Sequence, residues 1–296
     1  MKRTSTPLLG GIEAGGTKFV CAVGYPPDNI LALEQFPTTT PLETLGRTLD
    51  FFRSQPHLPD AIGIATFGPA DVRPTSDTFG FITSTPKPGW RNTDLAGLVA
   101  RSLHIPTAFD TDVNGAAVGE HAWGAGQDID NLLYLSVGTG FGGGAIVGGV
   151  PVHGLVHPEM GHLILPRAKG DDFKGHCPFH GPCLEGMASG PAIKARWGIP
   201  AESLLPDHTA WEFEAHYLSL AVTNLILTLS PERVIMGGGV MQQEHLFPAI
   251  RSRVQSHLNG YVQAVTVLHE IDRYIVPPGL GNKAGVLGAM GLALSL

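Results

Sequence analysis

A chain of 296 residues, 43 % hydrophobic and 15 % charged, has the length for about two domains at the usual ~150 residues each and enough apolar content to bury substantial cores. Its formal net charge of -7 argues against a nucleic-acid footprint, which needs a basic face. Three cysteines do not make a disulfide framework, and no apolar run approaches the ~20 residues of a membrane helix. The start, MKRTSTPLLG, has basic residues but no apolar core long enough for a signal peptide. The expectation is a soluble protein of a reducing cytoplasm, with neither nucleic acid nor membrane as partner. Glycine is abundant at 39 residues, close to twice the typical ~7 %. It belongs where backbone turns tightly or approaches a ligand.

Residues 8–36 read as strand, turn, strand, turn, strand. The first turn holds Gly15, Gly16 and Thr17, with Lys18 beside it. Glycines let backbone N–H groups close on phosphate oxygens, and Thr17 adds a donor; an ordinary tight hairpin is the competing reading. Cys21 falls in the apolar strand that follows, as a core thiol. Leu42, Leu45, Leu49 and Phe52 mark one face of a helix. Residues 60–66 form a buried strand ending in Phe67, Gly68 and Pro69, a strand edge of the kind where α/β proteins hold ligands. The loop TSTPKPGW (83–90) either walls a pocket with Trp90 or simply packs. Residues 92–103 read as a helix capped by Asn92 or Thr93.

A short strand then runs into FDTDVN, where a small-residue helix begins. Asp112 stands near that helix N-terminus, where a carboxylate is favoured by the helix dipole, and is a candidate general base. Asp112 as a mere helix cap is the plain alternative. Asp110 is a rival base only two residues away, and spacing does not separate them. Residues 131–137 form an apolar strand followed by a turn containing Gly138, Thr139 and Gly140 and another strand. This repeats the design of residues 8–23 and suggests two similar domains, each with a phosphate-cradling turn. Further on, residues 187–197 and 211–229 read as helices. A strand at 233–236 leads to a third glycine turn, Gly237, Gly238 and Gly239, and a helix runs to 258. A small-residue helix closes the chain.

The richest chemistry lies in PEMGHLILPRAKGDDFKGHCPFHGPCLE (158–185). Cys177, His180 and Cys183 are spaced C-x2-H-x2-C, with His162 upstream. Two thiolates and two imidazoles suit tetrahedral Zn2+ in a closed, structural site. Glu159 lies three residues before His162 and Glu185 two after Cys183. A metal that staples this loop would hold both carboxylates for one small polar ligand; a knuckle with both glutamates in solvent is the plainer alternative.

The ordered set of motifs resembles the ROK sugar kinases of the actin/hexokinase superfamily, and within them the bacterial fructokinase branch. GGIEAGGTKF is similar to the family's first phosphate motif, LSVGTGFGGG to its second and VIMGGGVM to its adenosine motif. PEMGH with CPFHGPCLEGMASGPA resembles its sugar-and-zinc segment, and GNKAGVLGA its closing helix. The resemblance implies an α/β protein of two actin/hexokinase-like (ribonuclease H-like) domains with an interdomain cleft, residues 1–113 plus 281–296 and residues 114–280. It implies ATP-dependent phosphorylation of a hexose, most like fructose, with Mg2+, a structural Zn2+ and a homodimeric assembly. ATP falls to Gly15, Gly16, Thr17 and Lys18, to Gly138, Thr139 and Gly140, and to Gly237, Gly238 and Gly239. The sugar falls to Asp112 as base with Glu159, His162, Glu185, Gly68 and Thr111. The metal falls to His162, Cys177, His180 and Cys183.

Four departures from the family's pattern stand out. Thr111 precedes Asp112 where relatives often have Asn, and Pro86 replaces the Asn of glucose-phosphorylating members four residues before Trp90. Glu13 stands where many have Asp beside the Mg2+ waters, and His180 where many have a third cysteine. The first two remove amides suited to an aldopyranose and point from glucose toward fructose, with mannose, glucose or an amino sugar as alternatives. Sugar-sensing repressors share the fold but carry a DNA-binding helix-turn-helix before the first phosphate motif. Here that motif begins about ten residues into the sequence, which favours a kinase. A sugar-binding module without catalysis is disfavoured by Asp112 and both phosphate turns.

Overall fold

The computed structural model describes residues 6–296; the MKRTS start of the leader-peptide reading lies outside them. The described chain falls into two compact units. One holds the residues up to Gln127 with Pro151–Pro158 and Gly279–Leu296, and the other holds Asp128–Val150 and Glu159–Pro278.

In the first unit, β1 (Leu9–Ala14), β2 (Lys18–Tyr25) and β3 (Asn29–Pro37) form an antiparallel meander. Helix α1 (Pro41–Arg53) follows, capped by Thr40 and opened by Pro41. Its buried face is Thr44, Leu45, Thr48, Phe51 and Phe52. Leu42, expected on that face, is 86 % exposed in the first turn. Strand β4 (Ala61–Thr66) runs parallel to β1. A small ribbon of β5 (Phe81–Ile82) and β6 (Thr93–Asp94) then precedes α2 (Leu95–Leu103). The cap of α2 is Asp94, which accepts the Gly97 N–H. Of the expected caps Asn92 and Thr93, Asn92 takes a positive φ of 58° just before β6 and Thr93 pairs with Ile82 in the ribbon. Strand β7 (Thr107–Thr111) completes the sheet in the order β3-β2-β1-β4-β7 and leads directly into α3 (Asp112–Trp123).

Trp90 is plain packing. It is fully buried against Phe19 and Phe67, and its Nε1 donates to the Thr39 carbonyl at 2.8 Å. Cys21 is a core thiol, pushed up by burial.

The C-terminal helix (Ala284–Leu292) packs on this sheet and on α3. A Cβ at Gly288 would collide with the Gly115 carbonyl of α3, so the two backbones touch. This contact carries α3 into the first unit, which therefore runs past the expected boundary at 113. The buried Glu120 carboxylate fixes the unit's outgoing and returning chain together, accepting the N–H groups of Ala125 (2.7 Å), Gly279 (2.9 Å) and Leu280 (3.0 Å). On β4, a Cβ at Gly63 would strike the Ala289 backbone carbonyl. Gly63→Ala is expected to destabilise the protein by about 1–3 kcal/mol through overpacking. Thermal melting checks this as a fall of several degrees in Tm relative to wild type.

The second unit repeats the topology. Strands β8 (Leu132–Val137) and β9 (Phe141–Val147) form an antiparallel hairpin. With the short β10 (Val150–Pro151), β11 (Arg233–Gly237) and β12 (Ile275–Val276) they give the order β10-β9-β8-β11-β12. As in the first sheet, the strands beyond the hairpin are parallel, β8 with β11 and β11 with β12. Helices α4 (Leu184–Ala188) and α5 (Gly190–Trp197) break at Ser189, which caps α5 by accepting the Ala192 N–H. The sequence pattern alone reads them as one helix. The longest helix, α6 (Ala210–Leu229), packs on α7 (Leu246–Leu258). The short α8 (Val265–Leu268) and α9 (Ile271–Tyr274) lead into β12. Among the described residues no helix is long and apolar enough to cross a membrane.

Candidate active site

In the first unit, Gly15, Gly16 and Thr17 form the tip between β1 and β2. The Gly15 N–H closes on the Lys18 carbonyl at 3.0 Å, and Gly16, Thr17 and Lys18 are exposed. Thr38, which the sequence reading passed over, holds the turn from behind. Its N–H donates to the Thr17 carbonyl at 2.9 Å and its hydroxyl to the Gly15 carbonyl at 2.7 Å. At the end of β1, burial pushes the Glu13 carboxyl up against the opposing influence of Lys18.

The β7–α3 junction separates the two rival aspartates. Asp110 is 3 % exposed. Its carboxylate accepts the Thr111 N–H at 2.7 Å and the Asn114 Nδ2 at 2.8 Å, and lies 2.8 Å from His153 Nε2. All of these partners tie it to the start of α3 and to the segment carrying His153. Asp112 is the half-buried first residue of α3, and its Oδ1 accepts the Val113 N–H at 2.9 Å. The capping role belongs to Thr111, whose hydroxyl accepts the Asn114 N–H at 3.2 Å. Thr111, expected to read the sugar, is 3 % exposed, and its hydroxyl accepts the cap bond. Gly68 lies on the loop after β4, where His157 Nε2 accepts the Ala70 N–H at 3.2 Å and sets the loop's position. Pro86 is exposed on its own loop.

In the second unit, the other two glycine turns meet. The Gly138 N–H closes on the Gly140 carbonyl, and the Gly138 carbonyl accepts from Gly190 at the start of α5. Gly238 takes a φ of 91°, and a Cβ there would collide with the Val137 backbone. That contact places the turn of Gly237, Gly238 and Gly239 beside the one at Gly138. Thr139 and Gly239 are exposed at the tips. Glu185, in the first turn of α4, reaches this hairpin. Its Oε2 accepts the Phe141 N–H at 3.0 Å, and a Cβ on Gly140 would come within 2.8 Å of the same oxygen. A cavity of about 220 Å³ opens here, lined by Thr139, His176, Cys177, Glu185 and Ser189 among others.

The proposed metal ligands of this unit converge. One donor atom each from His162, Cys177, His180 and Cys183 lies within 4.8 Å of all the others. His162 Nδ1 is 3.5 Å from Cys183 Sγ and 3.9 Å from Cys177 Sγ, and His180 Nδ1 is 3.8 Å from Cys177 Sγ. Tetrahedral Zn2+ with Zn–S of ~2.3 Å and Zn–N of ~2.0–2.1 Å requires edges of roughly 3.3–3.8 Å. The donor set therefore fits such an ion with shifts of up to about 1 Å in the widest pair. Backbone bonds pre-form the loop: Gly181 N–H to the Cys177 carbonyl at 2.9 Å and His176 N–H to the Gly186 carbonyl at 2.8 Å. Glu159 stands exposed immediately before the 3-10 turn Met160–His162.

Two sheets of one topology, each with a glycine turn in its leading hairpin, define an actin/hexokinase-like class of protein. The chain belongs to the ROK family, whose model matches residues 9–295. It is 44 % identical to a fructokinase of Pediococcus pentosaceus over 97 % of each chain. It is also 44 % identical to a fructokinase of Zymomonas mobilis, again over 97 % of each. Among solved structures, a ROK hexokinase from Thermus thermophilus superposes with a TM-score of 0.79 at 26 % identity, covering 97 % of this chain and 98 % of its own.

Proposed function

We propose that this protein transfers the γ-phosphoryl group of ATP to the C6 hydroxyl of D-fructose. The likeness to fructokinases at 44 % identity over nearly the whole chain carries this reading. In the transfer, the C6 oxygen forms a bond to the γ-phosphorus, the bond to the bridging oxygen breaks, ADP leaves and the hydroxyl proton passes to Asp112. Phosphoryl transfer is mainly a matter of positioning and charge neutralisation. The turns at Gly15–Lys18 and Gly138–Gly140 cradle the phosphates, and Gly237, Gly238 and Gly239 support the adenosine. Glu159, His162 and Glu185 accept or donate hydrogen bonds to the remaining sugar hydroxyls. Glu13 would help hold Mg2+, which would supply further charge neutralisation when bound. His162, Cys177, His180 and Cys183 would hold Zn2+, which would order the loop that presents Glu159 and Glu185. ATP is an intracellular donor, and we assign the reaction to the cytoplasm.

Fructose over glucose is favoured by positions 86 and 111. Pro86 has no donor, and the Thr111 hydroxyl is held by the Asn114 amide, so neither offers an aldopyranose the amide that glucose-phosphorylating relatives have. Missing polar contacts cost ~1–3 kcal/mol each. Two of them lower kcat/KM for glucose roughly 30-fold or more relative to fructose, at ~1.4 kcal/mol per tenfold. Measuring ADP release with fructose, mannose, glucose and N-acetylated hexosamines tests this. A kcat/KM for glucose equal to or above that for fructose overturns the choice of sugar and leaves the kinase intact.

A further inference from the structure

We infer that His153 and Asp110 form a positioning couple that holds Asp112 in register for proton transfer. The inference rests on Asp112 as the base. Asp112 is bracketed on both sides by a single carboxylate: Asp110 accepts the N–H of the residue before it, Thr111, and the side-chain amide of the residue two after it, Asn114. Thr111 and Asn114 are themselves joined through the cap. The three neighbours of Asp112 thus form one closed hydrogen-bonded ring around the start of α3.

Capping alone does not require that ring, because the Thr111 hydroxyl already satisfies a first-turn N–H. A buried carboxylate is costly unless it is compensated, and here the partner of its second oxygen comes from far along the chain. His153 lies 43 residues away, on the segment Pro151–Pro158, and places Nε2 2.8 Å from Asp110 Oδ2 and 3.3 Å from Asn114 Nδ2. Four residues on, His157 fastens the same segment to the Ala70 N–H. The hydrogen bond to Asp110 raises the pKa of His153 above its ordinary value, which favours a charge-assisted pair, roughly twice as strong as a neutral one. The His153 side chain is itself 36 % exposed, so its substitution leaves no large core cavity. Its effect is directed at the ring. A displacement of about 1 Å at a reacting group can cost ~10^2-fold in rate, and loosening one member of the ring should cost part of that.

The test uses the full chain with fructose and ATP, measuring kcat, both KM values and Tm for His153→Ala, His153→Gln, Asp110→Asn, the His153→Ala/Asp110→Asn double variant and Asp112→Asn. The expected result is a fall of about tenfold in kcat for His153→Ala, with KM for ATP within about twofold of wild type; the loss scales with the displacement it allows. His153→Gln, whose amide can still donate to Asp110, should recover most of that loss. The double variant should be no slower than the slower single variant, as a shared interaction requires. A kcat for His153→Ala within about twofold of wild type, additive losses in the double variant, or no recovery in His153→Gln would each overturn the couple. Such results with Asp112→Asn inactive leave the base assignment standing. An active Asp112→Asn overturns the base assignment instead.

Discussion

Asp112→Asn should fold as the wild type does and lose ~10^2–10^4 in kcat, the range that general-base help contributes. The fold is expected to survive because the cap of α3 is the Thr111 hydroxyl and not the Asp112 carboxylate. An amide oxygen can still accept the Val113 N–H now held by Oδ1. What the amide cannot do is take the hydroxyl proton. KM for fructose should change little, since the size and hydrogen-bonding reach of the side chain are kept. Asp110→Asn separates the two aspartates in the opposite sense. The partners of Asp110 are the Thr111 N–H, the Asn114 Nδ2 and the His153 Nε2, so an amide there loses the charge-assisted bond to His153. That variant should lose Tm as well as rate, and its loss of rate should be smaller. Continuous ADP release with a thermal melt on each variant distinguishes them. If Asp112→Asn keeps more than about a tenth of wild-type kcat, Asp112 is not the base.

The parts of this site that were legible in the sequence are those whose chemistry is local. A glycine turn between two apolar strands, and C-x2-H-x2-C with a histidine upstream, are written in consecutive residues and need no knowledge of the fold. The supports behind them are not local. Thr38 reaches back 23 residues to Gly15, His157 reaches 87 to Ala70, and Glu120 reaches 159 to Gly279. No spacing rule links such pairs; only the sheet order brings them together. The segment V-H-G-L-V-H carries two histidines at i and i+4, a weak signal with no cysteine beside it. The same distinction explains the helix ends. Asn92 and Asp94 are equally good caps on propensity, and the pairing of Thr93 and Asp94 with Phe81 and Ile82 decides between them. A strand partner about twelve residues earlier overrides a local preference. The two rival aspartates are the sharpest case. Asp110 and Asp112 are chemically alike in sequence, and the partners on Asp110 are what assign them different work.

Metal analysis of the purified protein should find about one zinc per chain, as a closed four-ligand site requires, and removing it should damage recognition of the sugar more than of ATP. The reason lies in what the loop carries. Glu159 immediately precedes the 3-10 turn that ends at His162, and Cys183 immediately precedes the helical turn that holds Glu185. One ion would fix the spacing of these two ends, which are otherwise joined by the isolated Ile164–Cys183 bridge and the Leu184 N–H to Leu163 carbonyl bond. The glycine turn at Gly15 draws its order from its own strands and from Thr38; the one at Gly138 draws it from its own strands and Gly190, with one bond from Glu185 to the Phe141 N–H, and no metal ligand lies in either. Cys177→Ser or prolonged chelation should therefore raise KM for fructose about tenfold or more, within the ~10^2-fold that a misplacement of about 1 Å can cost. KM for ATP should stay within about threefold on the same scale. Returning zinc to the chelated wild type should restore KM for fructose, while Cys177→Ser should not recover. A protein with no bound metal sinks the zinc assignment. Equal rises in both KM values would mean that the ion supports the whole second unit and has no particular link to the sugar.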